Sequence, residues 1–131
     1  EPAVTMPSGN RLEREIRSLG LQEYFQRLAA FHGDMVRRVY GEISYPQRAV
    51  RRSLEGRLEL DVTMTDTGEL LAIQIVRSSG HRILDDAAVD AARAAFAEAS
   101  LEDVDPVAIA EFGDFDKGEL TVPVPVNFRL E

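Results

Sequence analysis

Side chains of the kind used in hydrolysis stand close together in sequence at Ser79, His81 and Asp85. A serine, a histidine and a carboxylate form a nucleophilic triad when the fold brings them together in space. Nothing around Ser79, however, supplies the strained strand-to-helix turn that exposes a catalytic serine. The pattern therefore favours a loop with helix-capping side chains, and we expect no enzymatic activity.

Metal-binding side chains are sparse, since the chain has no cysteine and its two histidines show no ligand spacing. Asp114, Asp116 and Glu119 around Gly118 partly resemble a calcium-binding loop. The glycine stands one residue early and the position of the bidentate glutamate is missing. We therefore expect a solvated acidic loop, no metal site and no cofactor.

The charge distribution argues against binding to nucleic acid. The net charge is −8, from 15 basic and 23 acidic residues. Residues 1–57 carry ten arginines against seven acidic residues, whereas residues 58–131 carry five basic residues against sixteen acidic ones. A chain this acidic lacks the basic surface that a phosphate backbone requires.

No apolar run approaches the roughly 20 residues that a membrane helix needs. The first ten residues resemble the end of a linker and include no initiator methionine at position 1. We expect a fragment of a longer protein, with any targeting or anchoring segment upstream.

Helical periodicity predicts the elements of the N-terminal third. Asn10 and Glu13 form a capping-box pattern, and apolar residues then recur at three- and four-residue spacing as far as residue 40. We predict helix over residues 11–40, with a break at Gly20 and a weak point at Gly33. Because its apolar stripe is too long to remain exposed, this segment should pack on the domain or mediate a homodimer. Pro46 predicts the start of a second, short helix.

The period of the hydrophobic residues changes to two after Gly56. Residues 58–64 alternate between apolar and polar side chains, as in a half-buried strand. Asp66-Thr67-Gly68 supplies turn chemistry, and residues 69–77 form a second alternating strand. The two strands should make an antiparallel hairpin.

The remaining chain predicts a helix from about Ile83, an acidic and irregular segment over 97–119, and a strand over 120–130. A last strand that returns past the hairpin lies beside the first strand. We therefore predict an α+β fold with a β-β-α-β core and an N-terminal helical segment. Its sheet would be three-stranded and antiparallel, in the order 2-1-3, with helices on one face.

Six short motifs, in order over about 86 residues, together resemble the C-terminal domain of TonB. They are Tyr45-Pro46, Glu55-Gly56, Asp66 with Gly68, Ser78-Ser79-Gly80, Leu84-Asp85-Asp86-Ala87-Ala88, and Val124-Pro125-Val126-Asn127-Phe128-Arg129-Leu130. The resemblance covers Tyr45 to Leu130, and it divides the chain into a linker remnant with a helical segment (1–42) and a TonB-like domain (43–131).

The resemblance implies the periplasmic part of an energy transducer that is anchored in the inner membrane. Such a protein is energised by ExbB–ExbD through its N-terminal region, and its C-terminal edge strand pairs with the TonB box of outer-membrane receptors, for example in siderophore uptake. The implied partner-binding residues are Tyr45, Pro46, Val122, Val124, Val126, Asn127, Phe128, Arg129 and Leu130. Two alternatives remain, namely a TolA-like envelope-linking domain and a TonB-like accessory domain of another membrane protein.

Pro123 and Pro125 restrict how the last strand can pair. Alternate residues of a strand direct their backbone groups to the same edge, and proline has no N–H to donate. We predict that Val122, Val124 and Val126 pair with the first strand and that the prolines face solvent. A partner could then pair fully only from Asn127 to Arg129, together with the carbonyls of the two prolines.

Overall fold

The computed structural model describes residues 11–97 and 104–130. The elements in chain order are α1 (Arg11–Arg17), α2 (Leu21–Glu42), α3 (Gln47–Arg51), β1 (Gly56–Thr65), β2 (Leu70–Arg77), α4 (Arg82–Phe96), α5 (Pro106–Phe112), β3 (Gly113–Asp114) and β4 (Glu119–Phe128). Among these described residues, no helix is both long enough and apolar enough to cross a membrane.

The sheet is antiparallel and has four strands in the order β2-β1-β4-β3. The predicted three-stranded sheet is therefore wrong in its strand count, although the last strand does lie beside the first, as predicted. The additional strand, β3, has two residues and pairs only with Leu120 and Glu119 at the start of β4. The α+β class and the hairpin of β1 and β2 are confirmed.

The core lies between the sheet and the helices, and the alternation of β1 and β4 defines it. Leu58 pairs with Val126, Leu60 with Val124 and Val62 with Val122, and the side chains of all six residues are buried. The residues between them face the other side of the sheet, where Pro123, Pro125 and Asn127 are exposed. Helix α4 covers the buried face with Leu84, Ala88, Ala92 and Phe96.

The acidic segment after α4 is more regular than predicted. Asp105 caps α5 by accepting a hydrogen bond from the Val107 N–H at 3.0 Å, and Pro106 occupies the first turn. Aspartate followed by proline is a typical helix start, and it is the sequence signal that the prediction of an irregular segment overlooked. Residues 98–103 lie outside the described residues.

The N-terminal helices follow the predicted break at Gly20, but α2 continues through Gly33 to Glu42. Helix α2 packs against α4, α5 and β4, and Met35 and Val39 are buried in the core. Packing on the domain is thereby confirmed, whereas Leu21 and Phe25 remain exposed. Asn10, half of the predicted capping box, lies outside the described residues.

A close backbone approach explains the glycine in the Glu55-Gly56 pair. A Cβ atom at Gly56 would lie 2.7 Å from the carbonyl oxygen of Ser79 and 2.8 Å from its Cβ. The start of β1 therefore packs directly against the loop between β2 and α4. This contact fixes the position of that loop relative to the sheet.

We expect Met35→Ala to lower the free energy of unfolding by about 2–5 kcal/mol, because it leaves a cavity beneath α2. Leu21→Ala on the same helix is the matched control, since Leu21 is 76% exposed and Met35 only 1%. The control should change stability by less than about 0.5 kcal/mol. Urea denaturation measures both values, and equal effects would show that α2 is not packed in solution.

Candidate functional site

The last strand, β4, presents one edge that no other strand covers within the described residues. On one side, strand β1 pairs with the whole length of β4. On the other side β3 reaches only Glu119 and Leu120, so the outer edge of β4 is free of strand pairing from Thr121 to Phe128. Such an edge can accept an additional strand through main-chain hydrogen bonds.

Two hydrogen bonds show which residues face this outer edge. The Nε2 atom of His32 lies 2.6 Å from the carbonyl oxygen of Pro123, and the Asn127 N–H donates to the Tyr40 hydroxyl at 3.0 Å. Both partners belong to α2, on the side of β4 away from β1. The prolines therefore face outward as predicted, and the carbonyl of Pro123 contacts the His32 ring of α2.

The outer edge is poor in hydrogen-bond donors. From Thr121 to Asn127 the outward-facing residues are the odd-numbered ones, and Pro123 and Pro125 have no N–H. Carbonyl acceptors remain at every outward position. The edge therefore offers N–H groups only at its two ends, Thr121 and Asn127, with acceptors between them.

Helix α2 lies along this edge and contacts it at two points. His32 and Tyr40 are separated by about 12 Å along the helix, at roughly 1.5 Å per residue. Pro123 and Asn127 are separated by about 14 Å along the strand, at roughly 3.4 Å per residue. Because these two distances are nearly equal, the helical face with His32, Val36 and Tyr40 can lie alongside β4 and contact it at both points.

The contacts of His32 and Tyr40 with β4 were not predicted from the sequence. Their spacing of eight residues places them on one face of α2, together with Val36. That stripe lies beside the buried stripe of Met35 and Val39, and it marks a second contact surface of the helix. The position of β4 beneath it could not be inferred from periodicity.

The predicted partner-binding residues fall into three groups, of which two lie in β4 or directly after it. Val122, Val124, Val126 and Phe128 are buried and belong to the core. Asn127 and Arg129 are exposed, and the N–H of Asn127 is already engaged by Tyr40. The expected pairing of a partner with the segment from Asn127 to Arg129 stays a prediction.

Tyr45, Pro46 and Leu130 hold the end of the sheet together. The Tyr45 ring packs edge-on against Phe128, with the ring centroids 5.2 Å apart, and its hydroxyl donates to the carbonyl of Leu54. Pro46 stands at the N-cap of α3. The Leu130 N–H donates to the Glu55 carboxylate at 2.7 Å, which fastens the chain just beyond β4.

The cluster of Ser78, Ser79 and Asp85 is a loop-capping arrangement. The Ser78 hydroxyl donates to Oδ2 of Asp85 at 2.5 Å, and the Ser79 hydroxyl and N–H donate to Oδ1 at 2.6 and 2.9 Å. Both contacts of Ser79 with His81 involve the backbone of the histidine. The serine is thus bonded directly to the carboxylate, without the histidine ring that a catalytic triad places between them.

These hydrogen bonds determine the ionisation of Asp85. Burial opposes the charged form, but the bonds from Ser78 and from the hydroxyl and backbone of Ser79 outweigh it, with a smaller contribution from His81. The pKa of Asp85 is therefore lowered from its usual value of 3.8. The carboxylate remains ionised at neutral pH and ties the β2–α4 loop to α4.

The acidic residues that partly resemble a calcium loop form the turn between β3 and β4. The side chain of Asp114 accepts from the Asp116 N–H at 2.8 Å, and its carbonyl accepts from the Gly118 N–H at 3.0 Å. Within residues 11–97 and 104–130, no group of three or more histidine, aspartate or glutamate side chains is placed to hold a metal ion.

Comparisons with known proteins agree with this arrangement of helices and strands. Residues 41–130 match the family described as "Gram-negative bacterial TonB protein C-terminal". The solution structure of residues 179–285 of Helicobacter pylori TonB covers 100% of this chain and 98% of its own, at TM-score 0.57 and 17% identity. Residues 194–285 of the same protein cover 77% of this chain and 95% of their own, at TM-score 0.53 and 21% identity. A search of curated sequences finds no match.

The carboxylate of Asp85 provides a test of the loop-capping arrangement. Asp85→Asn should lower the free energy of unfolding by about 1.5–3 kcal/mol at pH 7, because hydrogen bonds to a charged group are lost. Asp86→Asn is the matched control: its carboxylate lies 3.8 Å from Arg82, both side chains are exposed, and such surface pairs contribute about 0–1 kcal/mol.

The pH dependence gives the same test an independent readout. A carboxylate with a lowered pKa stabilises the fold above its usual pKa, and this stabilisation is lost as the pH falls through the lower folded-state value. The difference between the wild type and Asp85→Asn should therefore persist above pH 3.8 and shrink below it. A difference that does not vary with pH would contradict an ionised Asp85.

Proposed function

Since this chain belongs to the TonB C-terminal family, we propose that its β4 edge binds an extended segment of an outer-membrane receptor, the TonB box. Binding would occur by addition of a strand to the sheet. The domain would thereby transmit energy from the inner membrane to the receptor. The family is one of interaction and transduction domains, and we propose no catalytic step.

The observation that carries this proposal is the free edge of β4 from Thr121 to Phe128. An extended segment bound there obtains most of its affinity from main-chain hydrogen bonds, so that receptors of different sequence can share one site. The strand is firmly anchored on its other side, because β1 pairs with all ten of its residues. A pulling force on the bound segment would therefore be distributed over the ladder between β4 and β1.

The donor-poor edge sets a requirement on the partner. Carbonyl groups of β4 at Pro123 and Pro125 can only accept, so the partner must supply N–H groups opposite them. A receptor segment with proline at either of these positions would bind weakly. Pairing would be strongest around Asn127 once Tyr40 releases its N–H, because β4 then offers a donor as well as an acceptor there.

The location and the energy source belong to the same proposal. The domain would lie in the periplasm and form the C-terminal part of a protein anchored in the inner membrane. Residues 43–131 would form the receptor-binding domain, with α2 packed against it, and the chain before α2 would connect it to the upstream region. ExbB–ExbD would act through that upstream region.

Site-directed cross-linking tests the proposed edge, because the chain has no cysteine of its own. The probes are peptides copied from the TonB boxes of receptors of the same organism, each with one cysteine. We expect a disulfide with Asn127→Cys and none with Gln74→Cys. Gln74 is the matched control, since it is equally exposed but lies on β2, the opposite edge strand. Equal yields at the two positions, or no cross-link at all, would overturn the proposal.

Replacing the two prolines tests the donor-poor edge. Pro123→Val with Pro125→Thr restores two outward N–H groups, for which α2 shows no hydrogen-bond acceptor comparable to the one Tyr40 provides for Asn127. We expect the double variant to bind the receptor peptides more tightly or to associate edge to edge as a dimer. Isothermal titration and sedimentation velocity measure the two effects, and unchanged affinity together with an unchanged mass would contradict the argument.

A further inference from the structure

The two side chains of α2 that contact the free edge occupy the hydrogen-bonding positions that a partner strand needs. The Pro123 carbonyl and the Asn127 N–H are outward-facing groups of β4. An added strand runs about 4.8 Å from its neighbour, in the space that the His32 and Tyr40 side chains fill. A partner and these two side chains therefore cannot occupy the edge together.

We propose that His32 and Tyr40 form an edge clasp, an intramolecular cover that must release β4 before a receptor segment can pair with it. The inference rests on the proposed function, which defines the segment that competes for the edge. The clasp belongs to α2 (Leu21–Glu42). His32 and Tyr40 both lie before the stretch that matches the family, residues 41–130. It adds a regulatory step to the receptor-binding edge.

The chemistry of the clasp complements that of the edge. A carbonyl oxygen only accepts, so the Nε2 atom of His32 must carry a proton to bind Pro123. The Tyr40 hydroxyl can accept, which suits the Asn127 N–H. Pro125, the outward-facing residue between these two points, has no N–H to donate. One donor and one acceptor from α2 therefore engage the groups at the two ends of the covered stretch.

The two ends of the clasp are held with different strength. The ring of His32 is half-buried and lies 5.8 Å from that of Phe112, between ring centroids. Tyr40 is 45% exposed and stands in the last turn of α2. The Tyr40 end should therefore open first, and pairing of the receptor segment should begin at Asn127 and proceed toward Pro123.

The rest of α2 can stay in place while the clasp opens. Met35 and Val39 are buried in the core, and the guanidinium of Arg27 binds both oxygens of the Asp105 carboxylate at 2.6 and 3.0 Å. These contacts hold α2 on α4 and α5, and they do not involve the outer edge of β4. Rotation of the His32 and Tyr40 side chains would expose the edge without unfolding the helix.

Amide hydrogen exchange tests the clasp without any partner. The Asn127 amide should exchange about tenfold faster in Tyr40→Phe than in the wild type, since the hydroxyl acceptor is lost. The amide of Val124, which faces β1, should exchange at the same rate in both proteins. Equal exchange of Asn127 in the two proteins would overturn the proposal.

Peptide affinity tests competition at the edge, with the receptor peptide that cross-links to Asn127→Cys as the probe. We expect His32→Ala with Tyr40→Phe to bind it about tenfold more tightly than the wild type, because the covered fraction of the protein is removed. His32→Gln, which keeps an N–H donor, should stay close to the wild-type affinity, as should Gln26→Ala on the exposed face of α2.

The outcomes separate this proposal from the proposed function. A peptide that cross-links at position 127 but binds the wild type and the double variant equally well would overturn the clasp and leave the receptor-binding edge intact. Failure of every peptide to cross-link or bind would overturn both. Tighter binding of the double variant, with wild-type affinity for Gln26→Ala, would support both.

Discussion

The structure depends on how the backbone groups on the two edges of β4 find partners. A strand directs its N–H and C=O groups alternately to its two sides, and each buried group needs a hydrogen bond. On one side β1 provides those bonds along the full length of β4. On the other side β3 provides them at the start, and side chains of α2 provide two more. The order of the sheet follows from this requirement, whereas α2 is held by its packing on α4 and α5 and adds two partners at the outer edge.

The C-terminal end of β4 is held by a separate set of contacts around the Tyr45-Pro46 and Glu55-Gly56 pairs. Tyr45 packs on Phe128, Glu55 accepts the Leu130 N–H, and Gly56 permits the close approach of the β2–α4 loop. Asp85 fixes that loop through its bonds to two serines. Motifs that are scattered in sequence thus meet at one end of the sheet and hold the end of β4 in place.

In the proposed function, the outer edge of β4 would combine a rigid strand with a cover that opens. The rigid part is the ladder between β1 and β4 with its buried valines and leucines, where many bonds must break together. The cover rests on two hydrogen bonds, and in one of them the hydroxyl of the exposed Tyr40 accepts from the Asn127 N–H. Parts of a protein with few buried contacts open at low free energy, so the cover can exchange while the sheet remains intact. Receptor binding would require only that the cover open, with the sheet intact.

The amino-acid sequence by itself determined the local elements and the family. Alternation in residues 58–64 and 120–128 identified the paired strands, and the prolines identified which side of the last strand faces outward, because proline lacks the donor that a ladder requires. Helix periodicity gave α2 and α4, and Asp105-Pro106 could have given α5. Each of these features is set by residues that are close together in the chain, so a sequence pattern is sufficient to predict it.

Only the tertiary structure decided what covers the outer edge. His32 and Pro123 are 91 residues apart, and Tyr40 and Asn127 are 87 residues apart. No local pattern relates them, because their contact depends on the angle at which α2 packs against α4 and α5. The same holds for β3, whose two residues pair with β4 only because α5 places them there. The sequence therefore predicted which side of the last strand faces outward, and the packing of the helices placed His32 and Tyr40 of α2 against that edge.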